Sequence, residues 1–232
     1  MLDAAEFDKF ADEYLATHAA NIRISGEDPD YFARAKIDEV GRRWAALKPA
    51  EPSAILDFGT GIGNALPFLA KRFAGARITG LDVSEKSLAI AERRFPRVAT
   101  LKRYDGGDVP LAPRSFDLIF SACVFHHIDA AEHVRLFGQL KRLLKPGGLM
   151  VIFEHNPVNP VTRYIVATCP FDENAVLIPA AQLKARQRQA GFDDVRVTYT
   201  GFFPGALKSL RPLESLMGAL PIGAQYYTLA HG

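Results

Sequence analysis

Hydrophobic and polar positions follow two textures along this chain. Over residues 3–47 the spacing is helical: Phe7, Phe10, Tyr14 and Leu15 recur on one face, as do Ile37, Val40, Trp44 and Leu47. The loop Ser25-Gly26-Glu27-Asp28-Pro29 separates the two helices, and Lys48-Pro49-Ala50-Glu51-Pro52 ends the pattern. From residue 53 short apolar runs alternate with amphipathic stretches. Ala54–Phe58, Arg77–Asp82, Val98–Arg103, Phe116–Ser121 and Leu149–Phe153 read as strands. Helices are predicted from the glycine-rich residues 59–63 to about Phe73, after the N-cap Ser84, and from Asp129, with Leu136, Phe137, Leu140, Leu143 and Leu144 on one face. Asp129 with Glu132 forms a capping-box pattern, and Lys145-Pro146-Gly147-Gly148 reads as a helix terminator feeding the next strand. Strands separated by helices in this way predict a parallel sheet with right-handed crossovers.

The C-terminal part is less regular. Pro157, Pro160, Pro170 and Pro179 predict an extended excursion over 156–180. A helix over 181–190 ends at Gly191, and Val195–Tyr199 and Ala224–Leu229 read as two late strands flanking a helical segment around 205–218. No linker interrupts the chain, so 1–232 reads as one domain. Within it, 1–50 is a helical lid, 51–155 a ligand-binding core, and 156–232 the excursion and last strands.

Composition agrees with a folded α/β chain: 48% of the 232 residues are hydrophobic and 23% charged, with a formal net charge of +2. That excludes disorder and supplies no electrostatic reason for nucleic acid as the main partner. Two cysteines in a chain with ample core read as reduced thiols. The acidic, amphipathic start and the lack of a bilayer-length apolar run predict a cytoplasmic protein with no membrane span.

The most informative segment is Asp57-Phe58-Gly59-Thr60-Gly61-Ile62-Gly63-Asn64. A strand ending in alternating glycines before a helix lets a ligand approach the backbone beside a helix N-terminus. Dinucleotide sites favour G-x-G-x-x-G, but Asn64 stands where the third dinucleotide glycine belongs. Asp57, two residues before the first glycine, suits a ligand carrying an ammonium group better than a pyrophosphate. Asp82 ends the next strand nineteen residues beyond Gly63, where a carboxylate can accept hydrogen bonds from ribose hydroxyls. It fits NAD and an adenosyl ligand equally.

Four motifs in order, ILDFGTGIGN, GLDVS, FDLIFSACVFHHI and LKRLLKPGGLMVIFEH, resemble the class I S-adenosylmethionine-dependent methyltransferases, most of all their small-molecule branch. The resemblance covers residues 53–155. It implies a single doubly wound, Rossmann-like α/β domain with a seven-stranded sheet, order 3-2-1-4-5-7-6, strand 7 antiparallel. It also implies S-adenosylmethionine as cofactor, S-adenosylhomocysteine as product, and a small-molecule methyl acceptor. By position, Gly59, Thr60, Gly61 and Gly63 would pack against the methionine part and Asp57 would orient its amino group. Asp82 would hold the ribose and Val83 would lie against adenine. Asp105, beside Gly106, would meet the adenine amino group, and Ser121 and the residues after it, through Phe125, would line the sulfonium end.

Methyl transfer is an in-line displacement that needs a base only if the acceptor must lose a proton. His126, then His127, are the candidate bases after the fourth strand, and His155 leaves the fifth strand on the same edge. Cys123 with two adjacent imidazoles makes a poor chelate set, so no metal is expected. Phe7, Phe10, Tyr14, Tyr31 and Phe32 are candidates to shield the sulfonium, and Lys36 to reach the cofactor carboxylate. The function this predicts is transfer of methyl to O, N or C of a small, partly apolar metabolite. A nicotinamide oxidoreductase and a non-catalytic adenosyl-binding scaffold are the competing readings.

Overall fold

The computed structural model describes residues 26–232; Phe7, Phe10 and Tyr14 of the expected lid lie outside them. Helix α1 (Pro29–Leu47) starts where Asp28 accepts a hydrogen bond from the Tyr31 backbone N–H, 2.6 Å, with proline at the first helical position. The sheet strands are β1 (Ala54–Phe58), β2 (Arg77–Asp82), β3 (Thr100–Arg103), β4 (Phe116–Ala122), β5 (Leu144–His155), β6 (Val195–Thr200) and β7 (Gln225–His231). The helices between them are α2 (Leu66–Arg72), α3 (Glu85–Arg94), α4 (His133–Leu143), α5 (Pro160–Ala167), α6 (Ala180–Gln189) and the short α7 (Glu214–Met217). The strands form one sheet in the order 3-2-1-4-5-7-6, and β7 runs antiparallel to both β5 and β6.

Strand periodicity explains the two cores. Leu56 and Phe58 of β1, and Met150 and Ile152 of β5, face Leu136, Phe137 and Leu140 of α4 and Leu183 of α6. Their neighbours Ile55, Val151 and Phe153 point the other way, toward Ile37, Val40 and Trp44 of α1 and Leu66 and Leu69 of α2. β1 is buried over its whole length, as a central strand covered on both faces must be. Each large apolar side chain so buried contributes about 1.5–3 kcal/mol. Ser84 caps α3 through the Ser87 N–H, 3.0 Å, as its position predicts.

Three local expectations change. β5 begins at Leu144, because Leu144 already pairs with Phe116 before the register shifts at Leu118, so Pro146-Gly147-Gly148 lies inside the strand. Asp129 caps a 3-10 turn (Ala130–Glu132) ahead of α4 by accepting from the Ala131 N–H. Glu132 pairs with Arg135 instead of closing a capping box. The excursion at 156–180 contains α5: Pro160 occupies the first turn, where its missing N–H costs nothing, and Asn159 accepts from the Thr162 N–H, 3.0 Å. Among the described residues no helix is long and apolar enough to cross a membrane.

Candidate active site

A cavity of about 600 Å³ opens at the carboxyl edge of the strands, where open α/β sheets bind ligands. Its first wall is the loop after β1. Gly59 and Thr60 N–H groups donate to the Leu81 carbonyl, and the Gly61 N–H donates to the Asp82 carboxylate, 2.8 Å. The loop is thereby tied to the tip of β2. Gly61, at φ +52°, has open space where a Cβ would stand, so the backbone itself lines the cavity. Gly63, at φ +82°, does something else: a Cβ there would press on Leu66, Ala91 and Phe95, so this glycine lets the loop close on α2 and α3.

Asp57 is buried at the end of β1, 2.6 Å from the Thr60 hydroxyl that donates to it. Burial pushes its carboxyl up to about 7, against the Thr60 hydrogen bond, with the nearby Asp82 charge adding to the rise. A buried acid so poised gains most from a cation. Asp82, Val83, Ile62 and Asn64 complete this end of the cavity, and the Tyr104 hydroxyl there is buried without a hydrogen-bond partner among the described residues. A bare-backbone cradle, a carboxylate awaiting an ammonium and an unpartnered hydroxyl fit an adenosyl amino acid.

The other wall comes from the ends of β4 and β5. Cys123, at φ +59°, turns the chain out of β4 into the 3-10 turn Phe125–His127. Glu154, fully buried on β5, holds that turn: one carboxylate oxygen accepts from the Val124 and Phe125 N–H groups, at 3.2 and 2.8 Å, and the other lies 2.5 Å from His126 Nδ1. Asp172 approaches from a 3-10 turn (Pro170–Asp172), its Oδ1 3.4 Å from His126 Nε2 and 3.5 Å from His127 Nε2. Burial opposes charge on His126, yet Glu154 and Asp172 override it and raise its pKa to about 10. Burial and the His126 charge lower His127 to about 4. Two carboxylates therefore grip His126 and favour its charged form, while burial and the His126 charge favour the neutral form of His127.

His155, Cys123 and Lys36 form the remaining polar corner. Burial raises the Cys123 thiol, but His155 and Lys36, with Lys36 Nζ 3.9 Å from the sulfur, bring it down to about 7. Apolar walls come from Phe32, Ile165, Phe202 and Phe203, and Tyr31 lies under the Arg211 guanidinium, 4.3 Å from its ring centroid.

Of the residues expected at the site, Asp57, Gly59, Thr60, Gly61, Asp82, Val83, His126, His127 and His155 line this one cavity, with Tyr31, Phe32 and Lys36. Others do not. Asp105 lies in a smaller neighbouring depression and accepts from the Gly107 N–H, 2.9 Å, a turn role in which Gly106 supplies a positive φ. Ser121 is fully buried in the sheet, and Phe125 stacks on Phe137, 4.5 Å between centroids, inside the core. Glu154 and Asp172 escaped the sequence reading. Glu154 adjoins His155 in the fifth-strand motif and carries a sequence signal, a lone acid in an apolar strand; Asp172 carries none.

A methyltransferase-domain family profile matches residues 55–148. The trans-aconitate 2-methyltransferase of Methylobacterium nodulans is 30% identical over 196 residues, 83% of this chain and 64% of that protein. The demethylmenaquinone methyltransferase of Thermotoga maritima is 31% identical over 153 residues, 66% of this chain and 61% of that protein. The chain thus spans less than two thirds of the length of these curated relatives. Among solved structures, a SAM-dependent methyltransferase of Thermotoga maritima superposes with TM-score 0.67 at 20% identity, covering 98% of each chain. An S-adenosylmethionine-dependent methyltransferase of Mesorhizobium loti gives 0.58 at 25% identity, over 84% of this chain and 96% of that one. The profile marks a methyltransferase domain over residues 55–148, the strand order and the solved structures give the chain the class I S-adenosylmethionine-dependent methyltransferase fold, and the glycine cradle with its two acids fits S-adenosylmethionine as the cofactor.

Proposed function

We propose that the protein methylates a small, partly apolar acceptor seated between His127, Ile165, Phe202 and Phe203. The observation that carries this reading is that one continuous cavity joins the glycine cradle to the histidine corner. The bound cofactor supplies an already activated methyl group, so the chain's task is placement and exclusion of water. Asp57 would receive the cofactor's amino group, Asp82 the ribose hydroxyls, and Val83 the adenine. His127, neutral and lining the cavity, is placed to take a proton from an acceptor hydroxyl or amine, while His126 holds its ring in place.

The relatives act on trans-aconitate and demethylmenaquinone. The aromatic and aliphatic wall favours the quinone-like type of acceptor over a polyanion, because two of the cations lining the cavity are already paired, Arg211 with Glu27 and His126 with Glu154 and Asp172. Calorimetric titration with S-adenosylhomocysteine and NAD(H), repeated on Asp82→Ala, tests the cofactor assignment: binding of the adenosyl ligand alone, weakened by the substitution, is expected. Radiolabelled methyl transfer to a demethylated quinol and to trans-aconitate then tests the acceptor. Labelling of trans-aconitate only would overturn the apolar-acceptor reading.

A further inference from the structure

We propose that His126, His127 and Asp172 form a binding site for a divalent first-row transition metal at the acceptor end of the cavity. Sequence alone sets Cys123 beside two adjacent imidazoles, a poor chelate. The fold adds a carboxylate from a separate segment and takes the thiol into a different corner. One ligand atom from each of the three residues lies within 4.8 Å of the other two. Asp172 Oδ1 is 3.4 and 3.5 Å from the two Nε2 atoms. Ligands about 2.1 Å from a tetrahedral centre stand about 3.4 Å apart, so both carboxylate–imidazole separations match a shared cation, with the two imidazoles within 4.8 Å of each other.

The surroundings are those of a built site. Glu154 faces His126 Nδ1 and holds the ring so that Nε2 faces Asp172, the carboxylate–histidine arrangement that orients metal ligands. The Asp172 segment is anchored as well: its own N–H donates to the Cys169 carbonyl at 3.0 Å, and the Val176 N–H donates to the His126 carbonyl at 2.8 Å. Two imidazoles and one carboxylate favour zinc, iron or manganese over calcium and magnesium. All three ligands line the cavity, so the open coordination positions face the acceptor and would take an acceptor oxygen. The proton on His126 Nε2 leaves as the cation enters, and His127 then serves as a ligand; its role as base belongs to the metal-free protein.

That the site faces the acceptor rests on the methyltransferase reading; the binding of a cation does not. Tag-free, chelator-treated protein titrated with Co²⁺ tests it by visible absorption, with S-adenosylhomocysteine binding measured on the same samples. One equivalent of Co²⁺ per chain, displaced by Zn²⁺, is expected. Asp172→Asn and His127→Asn should lose the band while still binding S-adenosylhomocysteine, and Glu154→Gln should weaken it by about 10–100-fold. A protein that binds S-adenosylhomocysteine but gives no Co²⁺ band overturns the proposal. So does a band unchanged in His127→Asn or Asp172→Asn, which would place the cation elsewhere. Loss of S-adenosylhomocysteine binding with the band intact would instead overturn the cofactor assignment.

Discussion

The two ends of the cavity are made by different means. At the cofactor end, Asp57, Gly61, Asp82 and Val83 belong to one strand–loop–helix–strand unit, and the bare backbone of the loop is itself part of the wall. At the acceptor end, Lys36, Cys123, His126, Glu154 and Asp172 come from α1, the residue after β4, the 3-10 turn that follows, β5 and the 3-10 turn beyond α5, and their side chains hold one another. A site made of backbone tolerates change around it and fails when a side chain is added. A site made of paired side chains fails when one partner is removed.

The largest effect should come from breaking the second kind. Glu154→Ala leaves the Val124 and Phe125 N–H groups without their acceptor and the buried His126 with one carboxylate instead of two. Removing one partner of a buried pair costs about 3–5 kcal/mol, and a fall in Tm on the order of 10 °C should appear in a thermal melt. An unchanged melt would mean that the His turn supports itself.

Gly61→Ala probes the first kind. The φ of +52° costs an alanine about 1–2 kcal/mol, and its methyl would project into the open cradle. Affinity for S-adenosylhomocysteine should fall about tenfold or more, which is about 1.4 kcal/mol per decade, with the acceptor end untouched. Equal affinity in calorimetry would remove the loop from the cofactor's path.

The smallest effect is a slope with pH. Burial raises the Asp57 carboxyl to about 7, well above the usual carboxylate range. Such an acid favours the ligand-free folded state at low pH, and that contribution is lost as pH rises from the unfolded pKa through about 7. A ligand ammonium needs the ionised form, so binding should tighten as pH rises from about 6 to about 8, approaching tenfold per unit on the acid side. Asp57→Asn should flatten the slope; a slope that persists would assign it to another group.

Much of the fold was legible because its causes are periodic. Leu56 and Ile55 alternate faces, Ile37, Val40 and Trp44 share one, and each pattern sits in a strand or helix whatever else the chain does. Pro160 misled because proline breaks a helix interior but starts one equally well. Asp105, Ser121 and Phe125 lie off the main cavity for local reasons: Ser121 alternates along β4 with Phe120 and Ala122, which line it, Phe125 turns into the core against Phe137, and Asp105 accepts from the Gly107 N–H of its own turn.

Sequence by itself determined the strand–helix alternation, the glycine cradle with its two acids, and the histidines at the end of β4, since each depends on neighbours a few residues away. Only the tertiary structure decided that Glu154 grips His126 and favours its charge, and that Asp172 closes the cluster. Those properties depend on burial and on charges within a few ångströms, and residues 126, 154 and 172 meet only because parallel pairing of β4 with β5 and the return of the chain after α5 bring them to one edge.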